Sequence, residues 1–296
     1  MADALKLRTS SLEFSALVEG EPGAPLVLCL HGFPDSPATF GHQLRALADA
    51  GFRVVAPALR GYEPSSIPED GDLSLMALAD DVIGWLDELG VERAHLVGHD
   101  WGAAISYVAA GYHPERFHTL TTLAIPPLAR VPAAVRKVPR QVLRSWYMTF
   151  FQIPWVSDRA LKAGDWWLMR RLWRTWSPGY TQSEPDRARL LEGFDQPGVV
   201  GAALAYYRQN ATPPLLLGLT SSPAMERATI SVPTLVLHGA DDGCMDRRLY
   251  GHAVIGEDYP LGVKVVEVPD AGHFLHLERP DVVNAAIAEH IGTPSG

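Results

Sequence analysis

At 296 residues the chain can hold one large α/β domain with an insertion or two small domains, and in either case a substantial core. A formal charge of −9 and the lack of any long Lys/Arg run exclude a nucleic-acid surface, while small neutral substrates stay open. Only Cys29 and Cys244 are cysteines, so no disulfide framework is implied, and no Cys/His metal pattern, dinucleotide fingerprint or phosphate loop calls for a metal or cofactor.

Leu12 to Val18 alternates in the manner of an edge strand. Pro25 to Leu30 is a continuous apolar run of the kind a buried parallel strand produces, with Cys29 as a small buried hydrophobe. It ends at His31-Gly32-Phe33-Pro34-Asp35, which leads into a helix near Ala38 to Ala48. Phe52 to Pro57 is the next strand, followed by the turn-rich loop Arg60 to Ser66. Leu73 to Leu89 carries apolar residues at helical spacing and closes at Gly90, a suitable C-cap.

Ala94 to Val97 then runs into Gly98-His99-Asp100-Trp101-Gly102 and the helix-forming stretch Ala103 to Ala110. Strand, very tight turn and helix make a nucleophile elbow, in which small residues two positions either side let the central side chain stand clear of the backbone. Here that central residue is a carboxylate. Unlike a serine hydroxyl, a carboxylate can displace a leaving group from saturated carbon and bring its own carbonyl to the resulting ester.

His118 to Ile125 is the next strand, and the alternation so far predicts a mostly parallel sheet with right-handed crossovers. From about Leu128 to Arg227 no strand run recurs. This divides the chain into an α/β core, residues 1–127 and 228–296, and a helical cap, residues 128–227. Trp166, Met169, Trp173 and Trp176 share a helical face, with Arg170, Arg171 and Arg174 nearby. That face is expected to line the cap or an aromatic, apolar substrate cavity in preference to a membrane surface.

Strand patterning returns at Val232 to Leu237 and leads into His238-Gly239-Ala240-Asp241-Asp242-Gly243. The Gly-x-x-Asp spacing selects Asp242, with Asp241 and Asp246 as fallback choices. Val263 to Val268 is the last strand; Gly272-His273 follows it, and a helix starts near Pro280. Asp100, Asp242 and His273 each lie just past a strand end. In an open parallel sheet such ends gather on one edge, which would let His273 serve as general base with Asp242 holding its tautomer.

His31-Gly32-Phe33-Pro34, Gly98-His99-Asp100-Trp101-Gly102 and Gly272-His273, together with Ser145 to Pro154 and Ala205 to Asn210, resemble the motifs of the α/β-hydrolase-fold epoxide hydrolases. The similarity covers nearly the whole chain. It implies a mostly parallel twisted sheet with helices on both faces and an inserted helical cap. It also implies that Tyr147 and Tyr207 are the ring-opening pair, Tyr206 being a weaker claimant for the second place. Trp101 would line the substrate site with them, and the Phe33 and Trp101 N–H groups would form an oxyanion hole.

On this reading Asp100 attacks a small hydrophobic epoxide, His273 activates water against the ester, and a vicinal diol leaves without a metal or cofactor. A cytoplasmic protein with no stable membrane association is expected, and a homodimer is left open. Two alternatives share the motifs: a haloalkane dehalogenase using the same aspartate, and a ligand-binding protein that has lost turnover. A fluoroacetate dehalogenase fits less well, because that family has Arg where Trp101 stands.

Overall fold

The computed structural model describes residues 2–9 and 12–293. Eight strands form one sheet: β1 (Asp3–Thr9), β2 (Leu12–Glu19), β3 (Leu26–Leu30), β4 (Arg53–Pro57), β5 (Ala94–His99), β6 (Phe117–Leu123), β7 (Thr234–Gly239) and β8 (Val263–Val268), in the spatial order β1-β2-β4-β3-β5-β6-β7-β8. The pairs β1/β2 and β2/β4 are antiparallel and all others parallel. β2 is therefore not the edge strand expected from its alternation. Asp3–Thr9 covers it, a strand that buries only Leu7 and so leaves a weak pattern.

Helices α1 (Gly41–Asp49), α2 (Leu75–Glu88) and α3 (Trp101–Tyr112) follow β3, β4 and β5 in turn. Alternate residues of the central strands serve different faces. Leu28, Leu30 and Leu96 pack with the α2 and α3 side, while Val27, Cys29 and Val97 pack with Leu44 of α1 and with Val283 and Ile287 near the C-terminus. A strand covered on both sides gains from burying every side chain, which is why these runs are apolar throughout.

Between β6 and β7 the described elements are helical: α4 (Val131–Lys137), α5 (Arg140–Arg144), α6 (Trp146–Phe151), α7 (Val156–Trp176), α8 (Glu184–Asp195), α9 (Val199–Asn210), α10 (Pro213–Leu216) and α11 (Pro223–Glu226), with a short 3-10 turn before α4. After β7 come α12 (Tyr250–Ala253), α13 (Leu275–Glu278) and α14 (Pro280–Ile291). No described helix is long and apolar enough to cross a membrane.

The aromatic face of α7 differs from expectation. Non-helical backbone at Ala163–Trp166, with positive φ at Gly164, Asp165 and Trp166, breaks the helix and takes Trp166 out of phase with the rest. Trp166 lies half-buried against Phe194. Beyond the break Met169, Trp173 and Trp176 are buried, and the two tryptophans dock onto the core: Trp173 stacks on Phe274 at 3.4 Å and donates its indole N–H to the Pro34 carbonyl at 2.9 Å. The face thus cements the helical segment to the sheet domain and does not line the cavity at Asp100.

Candidate active site

Asp100 sits between β5 and α3 with φ 50° and ψ −118°, a conformation costly for a non-glycine residue and sustained only by its surroundings. Close approach fixes the glycines around it. A Cβ on Gly102 would fall 2.0 Å from the Leu30 carbonyl oxygen, one on Gly98 would meet Gly102, and one on Gly32 would fall 2.4 Å from the Asp100 Cβ. The elbow read from the sequence is therefore built by β3, its loop and the start of α3 together.

The carboxylate is held at both oxygens. Oδ1 accepts the Phe33 backbone N–H at 2.7 Å, and Oδ2 is 3.4 Å from His273 Nε2. His273 Nδ1–H donates to Asp242 Oδ2 at 3.0 Å, and Asp242 Oδ1 in turn accepts the N–H groups of Cys244 and Met245 at 2.7 and 2.8 Å. Of the acids in that turn only Asp242 reaches the histidine. Asp241 is exposed, and Asp246 pairs with Arg248 and caps the following turn. Behind the base, His99 Nε2–H donates to the His273 carbonyl at 3.0 Å.

Burial works against a charge on His273, but the carboxylates of Asp242 and Asp100 outweigh it and raise its pKa to about 10. Burial would also raise Asp100, yet hydrogen bonding and attraction from His273 prevail and hold it below the ordinary carboxylate value. The resting site therefore carries an imidazolium between two carboxylates.

The two proposed tyrosines and their rival part company here. Tyr206 donates its hydroxyl to the Arg60 carbonyl at 2.7 Å and is committed to structure. Tyr207, the next residue, is buried and its hydroxyl donates to nothing; the buried Trp101 indole N–H points toward that oxygen, but no acceptor lies within ordinary hydrogen-bond distance of it. A buried donor without an acceptor costs on the order of 1–3 kcal/mol, so two of them beside a carboxylate mark a place for a ligand oxygen or anion. Burial raises the phenols of Tyr147 and Tyr207 well above their usual pKa, keeping both as proton donors.

Asp100, Trp101 and Tyr207 line one apolar cavity of about 80 Å³ with Ile125, Met148 and Met245. Tyr147 is not in that lining. Its ring packs on Tyr207 and Trp176, and its hydroxyl lies 3.3 Å from Cys244 Sγ. Phe33, whose N–H meets Asp100, turns its ring into the cluster of Phe151, Phe194 and Tyr207. The Trp101 backbone N–H belongs to the first turn of α3, directly after Asp100, where a helix leaves its N–H groups without intrahelical partners.

Three supports carry no signal of their role in the sequence. Arg208, Gln209 and Asn210 tie α9 down: Arg208 to the Phe151 carbonyl, Ser157 and Asp158, Gln209 to Gly71 and Leu73, Asn210 to Leu73 and Leu75. Cys244 meets both Tyr147 and Asp242. The Trp176 carbonyl accepts N–H bonds from Gly243 and His273, each at 3.0 Å, and Ser177 Oγ accepts from Phe274 at 2.9 Å, so the end of α7 bridges the acid loop and the base loop. Arg208-Gln209-Asn210 lie within the motif stretch already noted, but only the pairing partners reveal their purpose.

The profile described as the alpha/beta hydrolase fold matches residues 25–280. Epoxide hydrolase A of Mycobacterium tuberculosis is 32% identical, with 96% of this chain and 95% of that protein covered. YfhM of Bacillus subtilis, an AB hydrolase superfamily protein, is 31% identical over 96% of each. Among solved structures, Epoxide Hydrolase A from Mycobacterium thermoresistibile superposes with a TM-score of 0.82 at 28% identity, covering 98% of both chains. Fold, motif geometry and these relatives together place the chain in the α/β-hydrolase-fold epoxide hydrolase family.

Proposed function

We propose that this protein hydrolyses an epoxide to a vicinal diol through an ester on Asp100, with residues 128–227 acting as a cap that brings the tyrosines to the site. The observation that carries this reading is a carboxylate standing at a strained elbow opposite an unpartnered phenol, Tyr207, across an apolar cavity. Asp100 attacks an epoxide carbon, the ring C–O bond breaks, and the opened oxygen takes a proton from a tyrosine hydroxyl, with Tyr207 at the cavity and Tyr147 behind it.

Ester formation removes the charge of Asp100, one of the two carboxylates that keep His273 protonated. The His273 imidazolium then gives up its proton, which restores the tyrosine hydroxyl deprotonated by the opened oxygen. Neutral His273 deprotonates a water and the hydroxide adds to the ester carbonyl with the Phe33 and Trp101 N–H groups facing the oxyanion; the adduct's bond to the ester oxygen breaks, the leaving alkoxide takes the proton of the added hydroxyl, and the diol departs with an oxygen that belonged to Asp100, leaving Asp100 ionised and His273 protonated. Asp242 holds the histidine tautomer throughout.

A single turnover with excess enzyme in heavy-oxygen water tests the scheme. The first diol should contain ordinary oxygen from Asp100, whereas solvent oxygen in that first diol refutes the ester. The orphaned Trp101 indole N–H also suits a halide, so displacement from a haloalkane is the second reading. Bromide release from a bromoalkane without diol formation from styrene oxide would favour it.

A further inference from the structure

The charge of the chain is divided unevenly. Residues 128–227 hold fourteen Lys/Arg against seven Asp/Glu, a net of +7, which leaves −16 on the rest of the molecule. Within residues 136–174 nine cations face two acids, and the same stretch carries exposed apolar side chains: Leu143 at 76%, Trp155 at 79% and Trp167 at 52% exposure. Leu143, Trp146 and Phe150 are spaced three and four apart along α5 and α6, so they share the outer side while Tyr147 and Phe151 turn inward.

Two adjoining grooves order this surface. One is apolar, formed by Trp146, Phe150, Ala160, Ala163, Trp167 and Leu168. The other shares Trp167 as its border and is lined by Arg170, Arg174 and Arg187. Arg171 lies over the Trp167 ring at 5.4 Å, and Arg140, Arg159 and Arg174 make no ion pair among the described residues.

We propose that this face of the helical segment docks on an anionic phospholipid bilayer, with the tryptophans at the acyl boundary and the arginine groove on headgroup phosphates. Arg170 and Arg187 pair with Asp165 and Glu184 and Arg174 has no ion pair among the described residues, so the rim keeps a net positive charge, and an apolar strip bordered by such an excess gains twice at such a surface. Its aromatic and aliphatic groups leave water, and each cation near the anionic surface adds electrostatic attraction that salt screens. Charge decides between occupants: the cationic rim is complementary to a uniformly anionic sheet, while the same rim on a second copy would face its own like charges in any two-fold pairing of this patch. The contact is peripheral, requires no membrane-crossing helix, and departs from the expectation of no stable membrane association that the sequence alone supports. It does not depend on the proposed chemistry.

The test is flotation of the full chain with phosphatidylcholine vesicles and with vesicles that also contain phosphatidylglycerol, each at low and high salt. Binding to the anionic vesicles that high salt weakens, with little binding to the neutral ones, is the expected result. R171E/R174E and W155S/W167S should each weaken it by about tenfold or more while circular dichroism stays unchanged. No binding, binding indifferent to lipid charge and salt, or unaltered binding by both variants would overturn the proposal. So would light scattering that shows a dimer dissociated by W155S/W167S, which would assign the patch to a second copy.

Discussion

His273 Nε2 faces Asp100 Oδ2 at 3.4 Å, a long contact that the proposed ester on Asp100 would weaken further, leaving the ring nitrogen to bind a water instead. His273→Gln should therefore still form the ester but lose about a thousandfold in its hydrolysis. Intact mass measurement after mixing with an epoxide should show the protein plus one substrate, where the unaltered protein shows none. Asp100→Asn removes one of the two carboxylates, so the His273 pKa should fall below about 10 on imidazole NMR titration. The same raised pKa links the site to stability. Its contribution is full below the ordinary value of 6.5 and is lost as the pH rises through about 10. Asp100, Asp242 and His273 could be read from sequence because each follows a strand and carries a turn glycine. Tyr207 stands ahead of Tyr206 already in the motif, being the residue directly before Arg208; what the sequence lacks is the physical difference between the two neighbours, the Arg60 carbonyl for one and a cavity for the other.

At the level of elements, α9 is fastened on three sides while Tyr207 alone in the run Tyr206 to Asn210 is left with an idle side-chain polar group. Asn210→Ala deletes bonds to Leu75 N at 2.8 Å, Leu73 O at 2.9 Å and Tyr206 O at 3.0 Å. It should cost about 2 kcal/mol, a fall of about 3 °C in Tm by calorimetry. kcat should fall as well, because the phenol loses its fixed position. Strands β3 to β7 could be read within a few residues, because burial on both faces favours apolar and β-branched runs, and β8, a largely exposed edge, through its valine-rich run Val263–Val268. β1 could not, since a half-exposed edge leaves too little pattern. The α7 break also escaped notice: Gly164-Asp165-Trp166 interrupts the helix without a proline, and its aromatic spacing continues across the break as if nothing had happened.

Across the whole molecule the division of charge should be visible in solution. Despite its formal −9 the protein should be retained on a cation exchanger near neutral pH and released by salt, with R171E/R174E eluting earlier. A column run on the two proteins checks this directly. The position of the α7 end carries a different consequence. The Trp176 carbonyl and the Ser177 hydroxyl hold Gly243, His273 and Phe274 in place, so swinging the entire helical lobe away would pull apart the loops that carry the acid and the base. Admission of a reactant must leave that junction shut: α7 acts as a doorpost, and whatever moves to let molecules in hinges elsewhere.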